Sequence, residues 1–86
     1  MNPSEVLKYP VSTEKAIRMM ESQNKLVFIV DKKSKKADVK KAFEKAFQVK
    51  VMEVKTAISP AGIKRAYIKL SPETPALDIA TQLGMM

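Results

Sequence analysis

The sequence predicts an α+β domain: a small, mostly antiparallel sheet of three to four strands with helices packed on it. Three observations carry that expectation. Lys64 to Ser71 alternates with period 2, Ala66, Ile68 and Leu70 pointing one way and Arg65, Tyr67 and Lys69 the other. Val39, Ala42, Phe43, Ala46 and Phe47 instead recur at helical spacing as one apolar stripe. Between them, Ser59-Pro60-Ala61-Gly62 has the composition of a turn, with proline presetting φ and glycine free to take positive φ. It joins two runs of strand character into a hairpin. A chain of 86 residues makes one domain over 1–86 and buries only roughly 60–65% of its unfolded surface.

The elements follow in order. Glu5 to Tyr9 reads as a short extended segment stopped by Pro10. Thr13 is placed to cap a helix whose apolar positions Ala16, Ile17 and Met20 share a face, with Glu14 favourable in its first turn. Lys25 to Asp31 holds five consecutive apolar residues and reads as a central strand covered on both sides. The run Lys32-Lys33-Ser34-Lys35-Lys36 precedes the Val39–Phe47 helix, whose other faces carry Lys40, Lys41, Glu44, Lys45 and Gln48. Val49 to Ile58 reads as a strand with Met52, Val54 and Ile58 on one side and Glu53 and Lys55 on the other. Thr74 and Pro75 open a last helix carrying Leu77, Ile79, Ala80 and Leu83 and ended by Gly84. A strand, a crossover helix and a hairpin together place the last strand between the other two. Met19, Met20 and Met52 suit core filling, whereas Met85 and Met86 are frayed or docked on a partner.

Charge narrows the function classes. Sixteen Lys+Arg stand against nine Asp+Glu, a formal net charge of +7, and the isoelectric point is near 9.8. With no histidine and no cysteine, the commonest acid–base residue, the thiol nucleophile, disulfides and the common zinc sites are all excluded. Two glycines cannot build a glycine-rich phosphate loop. No enzyme, cofactor, metal or small-molecule substrate is expected. Nor is membrane insertion, since Leu26 to Val30 is too short to span a bilayer and no secretory signal opens the chain.

The strand face of Arg65, Tyr67 and Lys69 is cation, ring, cation, which suits a polyanion with bases to stack on. The lysines at 32–36 read either as a solvated loop or as cations awaiting phosphates, because a helix N-terminus prefers negative charge. Cations on nearly every element, Lys8, Lys15, Arg18, Lys25, Lys40, Lys41, Lys55, Lys64, Arg65 and Lys69, fit broad contact with folded RNA. The expected RNA-contacting set is Lys8, Lys15, Lys25, Lys32, Lys33, Lys35, Lys36, Lys55, Lys64, Arg65, Tyr67 and Lys69.

The stretch Lys64-Arg65-Ala66-Tyr67-Ile68-Lys69-Leu70-Ser71, followed after seven residues by Ile79, resembles the signature of the large-subunit ribosomal protein 23 family. Pro10-Val11-Ser12-Thr13-Glu14-Lys15-Ala16 resembles its N-terminal motif, and Asn24-Lys25-Leu26 and Val51-Met52-Glu53-Val54-Lys55-Thr56 also fit. The resemblance implies a structural, rRNA-binding protein of the large subunit beside the polypeptide exit tunnel, cytoplasmic with the ribosome. It implies large-subunit ribosomal protein 29 as neighbour and the signal recognition particle as a docking factor. In bacterial members the motif's acid meets a ribosome-bound chaperone. That acid falls on Glu14, and a basic partner could pair with it beside Arg18. Bacterial members carry a long hairpin extension where only Ser59 to Gly62 stands here, and the long N-terminal extension of eukaryotic members is not seen. The resemblance is therefore to the archaeal type. An RRM-like module is the alternative, weakened because only Tyr67 is plainly outward and the chain closes on a helix rather than a strand.

Overall fold

Residues 3–84 are described in the computed structural model; Met1, Asn2, Met85 and Met86, with the two readings of the C-terminal methionines, lie outside them. Eight elements follow one another: α1 (Pro3–Val6), β1 (Leu7–Pro10), α2 (Glu14–Gln23), β2 (Lys25–Val30), α3 (Lys36–Phe47), β3 (Val51–Ile58), β4 (Lys64–Leu70) and α4 (Ala76–Gln82). The strands form one sheet in the order β1-β2-β4-β3, every neighbouring pair antiparallel. The last strand therefore lies between the two joined by the crossover helix, as the connection rule requires. The three longer helices pack on this sheet, giving the α+β class the sequence predicts.

One face of the sheet carries the core. Leu26, Phe28 and Val30 of β2 and Ala66, Ile68 and Leu70 of β4 are buried there with Val39, Ala42 and Phe43 of α3. The rings of Phe28 and Phe43 meet edge to face at 5.6 Å, and Phe47 lies 4.7 Å from Phe43. All five apolar residues of β2 are buried, so the reading as a strand covered on both sides holds.

Several expectations need correction. Glu5 and Val6 belong to the single turn α1, not to an extended segment, and Pro10 is the last residue of β1. Proline's missing N–H is tolerated because β1 is an edge strand. On β3 the register shifts between Val51 and Glu53, so Met52 is extra and 55% exposed while Val51 takes the core place beside Val54. A period-2 count cannot see a bulge. Ile58, next to the turn, is likewise exposed and outside the core cluster. Ala46 is exposed at an open groove that the last turn of α3 leaves beside Leu7, Pro10 and Leu83. In α4 the buried face is Ala76, Ile79 and Ala80, with Leu83 packed against the core, and Leu77 turns outward. Substituting Met52 by serine should therefore change stability by no more than about 0.5 kcal/mol, whereas Ile68→Ala should cost about 2–5 kcal/mol. Urea unfolding of both variants checks the contrast.

Thr13 caps α2 as expected, its Oγ1 accepting from the Ala16 N–H at 3.3 Å. Thr74 does not cap α4. That office falls to Asn24, 52 residues away, whose Oδ1 accepts from the Ala76 N–H at 2.6 Å. The Asn24 amide nitrogen in turn donates to the carbonyls of Leu70 (3.3 Å), Ser71 (3.1 Å) and Thr74 (3.1 Å). Asn24 also ends α2 in the left-handed region at φ 54°. One side chain thus ties the end of α2, the end of β4 and the start of α4. Between β3 and β4, the Gly62 N–H donates to the Ser59 carbonyl at 2.9 Å and Gly62 takes φ 81°, closing the hairpin through the five residues 59–63.

Candidate nucleic-acid interface

The second face of the sheet is built by the odd-numbered residues of β4 and their partners. Arg65 stands between Ile29 and Ala57, Tyr67 between Val27 and Lys55, and Lys69 between Lys25 and Glu53. Directly opposed residues lie about 4.5–5.5 Å apart at Cβ, so these form three adjoining rows. Arg65, Lys69 and Lys55 are exposed, and Lys25 and Tyr67 are half-buried. Val27 and Ile29, in the same rows, are 4% and 7% exposed and so are covered by their neighbours. Glu53 is the one acid in these rows, and it pairs with Lys55 at 3.5 Å. Among the described residues Lys25, Arg65 and Lys69 have no acidic partner. A surface of this kind concentrates positive potential.

The sequence reading missed Tyr9. Its partner in register is Ile29, which puts its ring on this same face at the end of the Arg65 row, 55% exposed. Period-2 alternation would place Tyr9 on the face of Leu7, and only the register shift between them turns its ring to this one. With Tyr9, the face presents two rings, and β1 is the fourth strand of the sheet.

The remaining expected residues fall into three groups. Lys15 of α2 joins Arg65 and Tyr67 around a shallow recess floored by Val27 and walled by Ala16 and Met19. Lys8, Lys32 and Lys64 line a second recess at the end of the sheet, beside Gly62 and Ile63. Lys64 has a structural task there, since its Nζ donates to the Ser34 carbonyl. Lys33, Lys35 and Lys36 stand apart, exposed on the loop into α3. Part of the negative charge that this helix entrance needs comes from within: Asp38 Oδ2 accepts from the Lys35 N–H at 3.0 Å and Asp31 Oδ1 from the Lys33 N–H at 2.8 Å. Glu14 and Arg18 pair at 3.0 Å on the outer side of α2, their side chains 83% and 75% exposed. Among the described residues no group of acids is arranged to hold a metal, and no helix is long and apolar enough to cross a membrane.

These rows lie on the stretches that carry the family motifs, and comparison with known families decides the assignment. The family model described as Ribosomal protein L23 matches residues 5–77, from the end of α1 into α4. The chain belongs to the ribosomal protein L23 family. It is 44% identical over 81 residues to the large ribosomal subunit protein uL23 of Trypanosoma brucei brucei, covering 94% of this chain and 49% of that protein. The chain thus spans about half the length of the curated relative it matches. The L23 family is one of ribosomal proteins and not of enzymes.

Proposed function

We propose that this chain is a structural constituent of the large ribosomal subunit, binding large-subunit rRNA near the polypeptide exit tunnel as a single domain over residues 1–86. The observation that carries the reading is the sheet face where Lys25, Lys55, Arg65 and Lys69 surround Tyr67. Cations hold phosphates, those without an acidic partner most freely, and an outward ring accepts a base. Lys8, Lys15 and Lys32 extend the cationic rim, while Lys33, Lys35, Lys36 and Lys64 add contacts at the entrance of α3. The short turn between β3 and β4 supports the archaeal type over the bacterial one. The test is sedimentation: the protein should travel with large ribosomal subunits through a high-salt cushion. Protein left at the top of the gradient would overturn the reading. It would favour the second one, a free-standing RNA-binding module, to which the two outward rings and four-stranded sheet also lend support.

The same reading gives this protein large-subunit ribosomal protein 29 as its neighbour and the signal recognition particle as a docking factor, with Glu14 and Arg18 at the docking surface. Their support is exposure on the side of α2 away from the buried Ala16 and Met20. An exposed i,i+4 pair contributes only about 0.3–0.5 kcal/mol to folding, so evident structural need does not account for Glu14. Glu14→Lys is expected to leave the domain folded and rRNA-bound and to weaken docking of the particle. Equilibrium titration of the particle onto ribosomes carrying each variant measures this, and unchanged affinity would restrict Glu14 to its helix.

A further inference from the structure

We propose that the recess between α2 and β4 is a slot for one unpaired nucleobase, stacked on the ring of Tyr67, with Lys15 and Arg65 holding the adjoining phosphates. The inference rests on the rRNA-binding reading and names what that face takes at this point. Its starting observation is the mixture of groups around the recess. Phosphate binding needs cations alone, yet here exposed Lys15 and Arg65 stand beside three half-buried side chains, Val11, Met19 and Tyr67, with Val27 and Ala16 buried behind them. A ring and apolar side chains between cations match a nucleotide, whose base is flat and apolar on its faces while its backbone is anionic.

The ring itself is available. Ring contacts among the described residues involve only Phe28, Phe43 and Phe47, so no aromatic neighbour stacks on Tyr67. Its hydroxyl makes no hydrogen bond among them either, so nothing in the fold needs a phenol there. Helix α2 supplies the other wall. Met19, with its polarizable thioether, lines the recess from that side. A base still paired within a duplex could not enter between a helix and a strand. The ligand is therefore a nucleotide extruded from a loop, bulge or junction.

The experiment is filter binding of in-vitro transcribed large-subunit rRNA to the intact protein at several salt concentrations. Tyr67→Leu should weaken binding about 5- to 150-fold, the range seen for loss of one base–aromatic stack. Tyr67→Phe, which keeps the ring, should stay within about twofold. The salt slope should be the same for all three proteins, since no cation is removed. Ultraviolet irradiation of the complex should attach a nucleotide to the peptide containing Tyr67. Tyr67→Leu binding as tightly as the unaltered protein would overturn the slot. So would Tyr67→Phe losing as much as Tyr67→Leu, or a loss accompanied by a lower salt slope. Failure of the unaltered protein to bind rRNA in a salt-dependent way would remove the parent reading, and this one with it. Far-UV circular dichroism of each variant separates lost binding from lost fold.

Discussion

Asn24→Ala is expected to lower the unfolding free energy by about 3 kcal/mol, the largest effect of any substitution outside the apolar core. Two terms add. The side chain donates to three carbonyls and accepts from one amide, and removing it strands those groups at the part-buried junction of α2, β4 and α4. Each net bond is worth about 0.5–1.5 kcal/mol, and the amide's two hydrogens cannot serve three carbonyls at full strength. The second term is local: φ 54° is tolerated by asparagine and costs alanine about 1–2 kcal/mol. Asn24→Gly separates them, because glycine accepts the backbone angle but supplies no amide. It should recover about 1 kcal/mol of the loss. Urea unfolding of the three proteins reads both terms, and an alanine variant within about 0.5 kcal/mol of the unaltered chain would deny Asn24 this role. Against a total stability of about 5–15 kcal/mol the predicted loss is severe.

The contrast between Asn24 and the helices shows what was legible in the sequence. The strand of β4, the stripe of α3 and the Thr13 cap depend on neighbours within a few residues, so periodicity and composition reveal them. Asn24 caps a helix 52 residues away, and nothing local announces that. Met52 fails for a related reason, since a bulge is a property of the pairing between strands and not of either strand alone. The outward face of Arg65, Tyr67 and Lys69 was readable from alternation. Its neighbours Lys25 and Lys55, and the ring of Tyr9, needed the register across four strands. Lys64 shares the same cationic stretch yet points elsewhere, to the Ser34 carbonyl.

Reversing charge at Arg65 and Lys69 together should weaken binding to rRNA on the order of 100-fold at moderate salt. The two residues stand on one face either side of the Tyr67 row, and among the described residues neither forms a salt bridge. Losing two phosphate contacts should also flatten the salt dependence by about 1.4–1.8 log units per tenfold salt. Lys40, Lys41 and Lys45 are the comparison, three exposed cations on the solvent side of α3. Their joint reversal changes more net charge but touches no part of the sheet face, and is expected to cost less than about tenfold. Equal losses from the two sets would show that the protein binds through its overall charge and that the face has no special part. Lys64 is left out of the tested set because its reversal would disturb the loop into α3.

The strand order has a consequence for the birth of this protein. β2 is the most apolar strand, yet its partner β4 is made last among the strands, and the Asn24–Leu70 contact spans 46 residues. During synthesis at about 5–20 residues per second, roughly 2–9 s pass between the two. Through that interval Leu26-Val27-Phe28-Ile29-Val30 has only the four residues of β1 to pair with, and five apolar residues of high strand propensity invite association with other growing chains. Lys25 on one side and the lysines from 32 to 36 on the other bracket the run. Charges so placed act as gatekeepers, keeping nascent copies apart until β4 arrives to close the sheet.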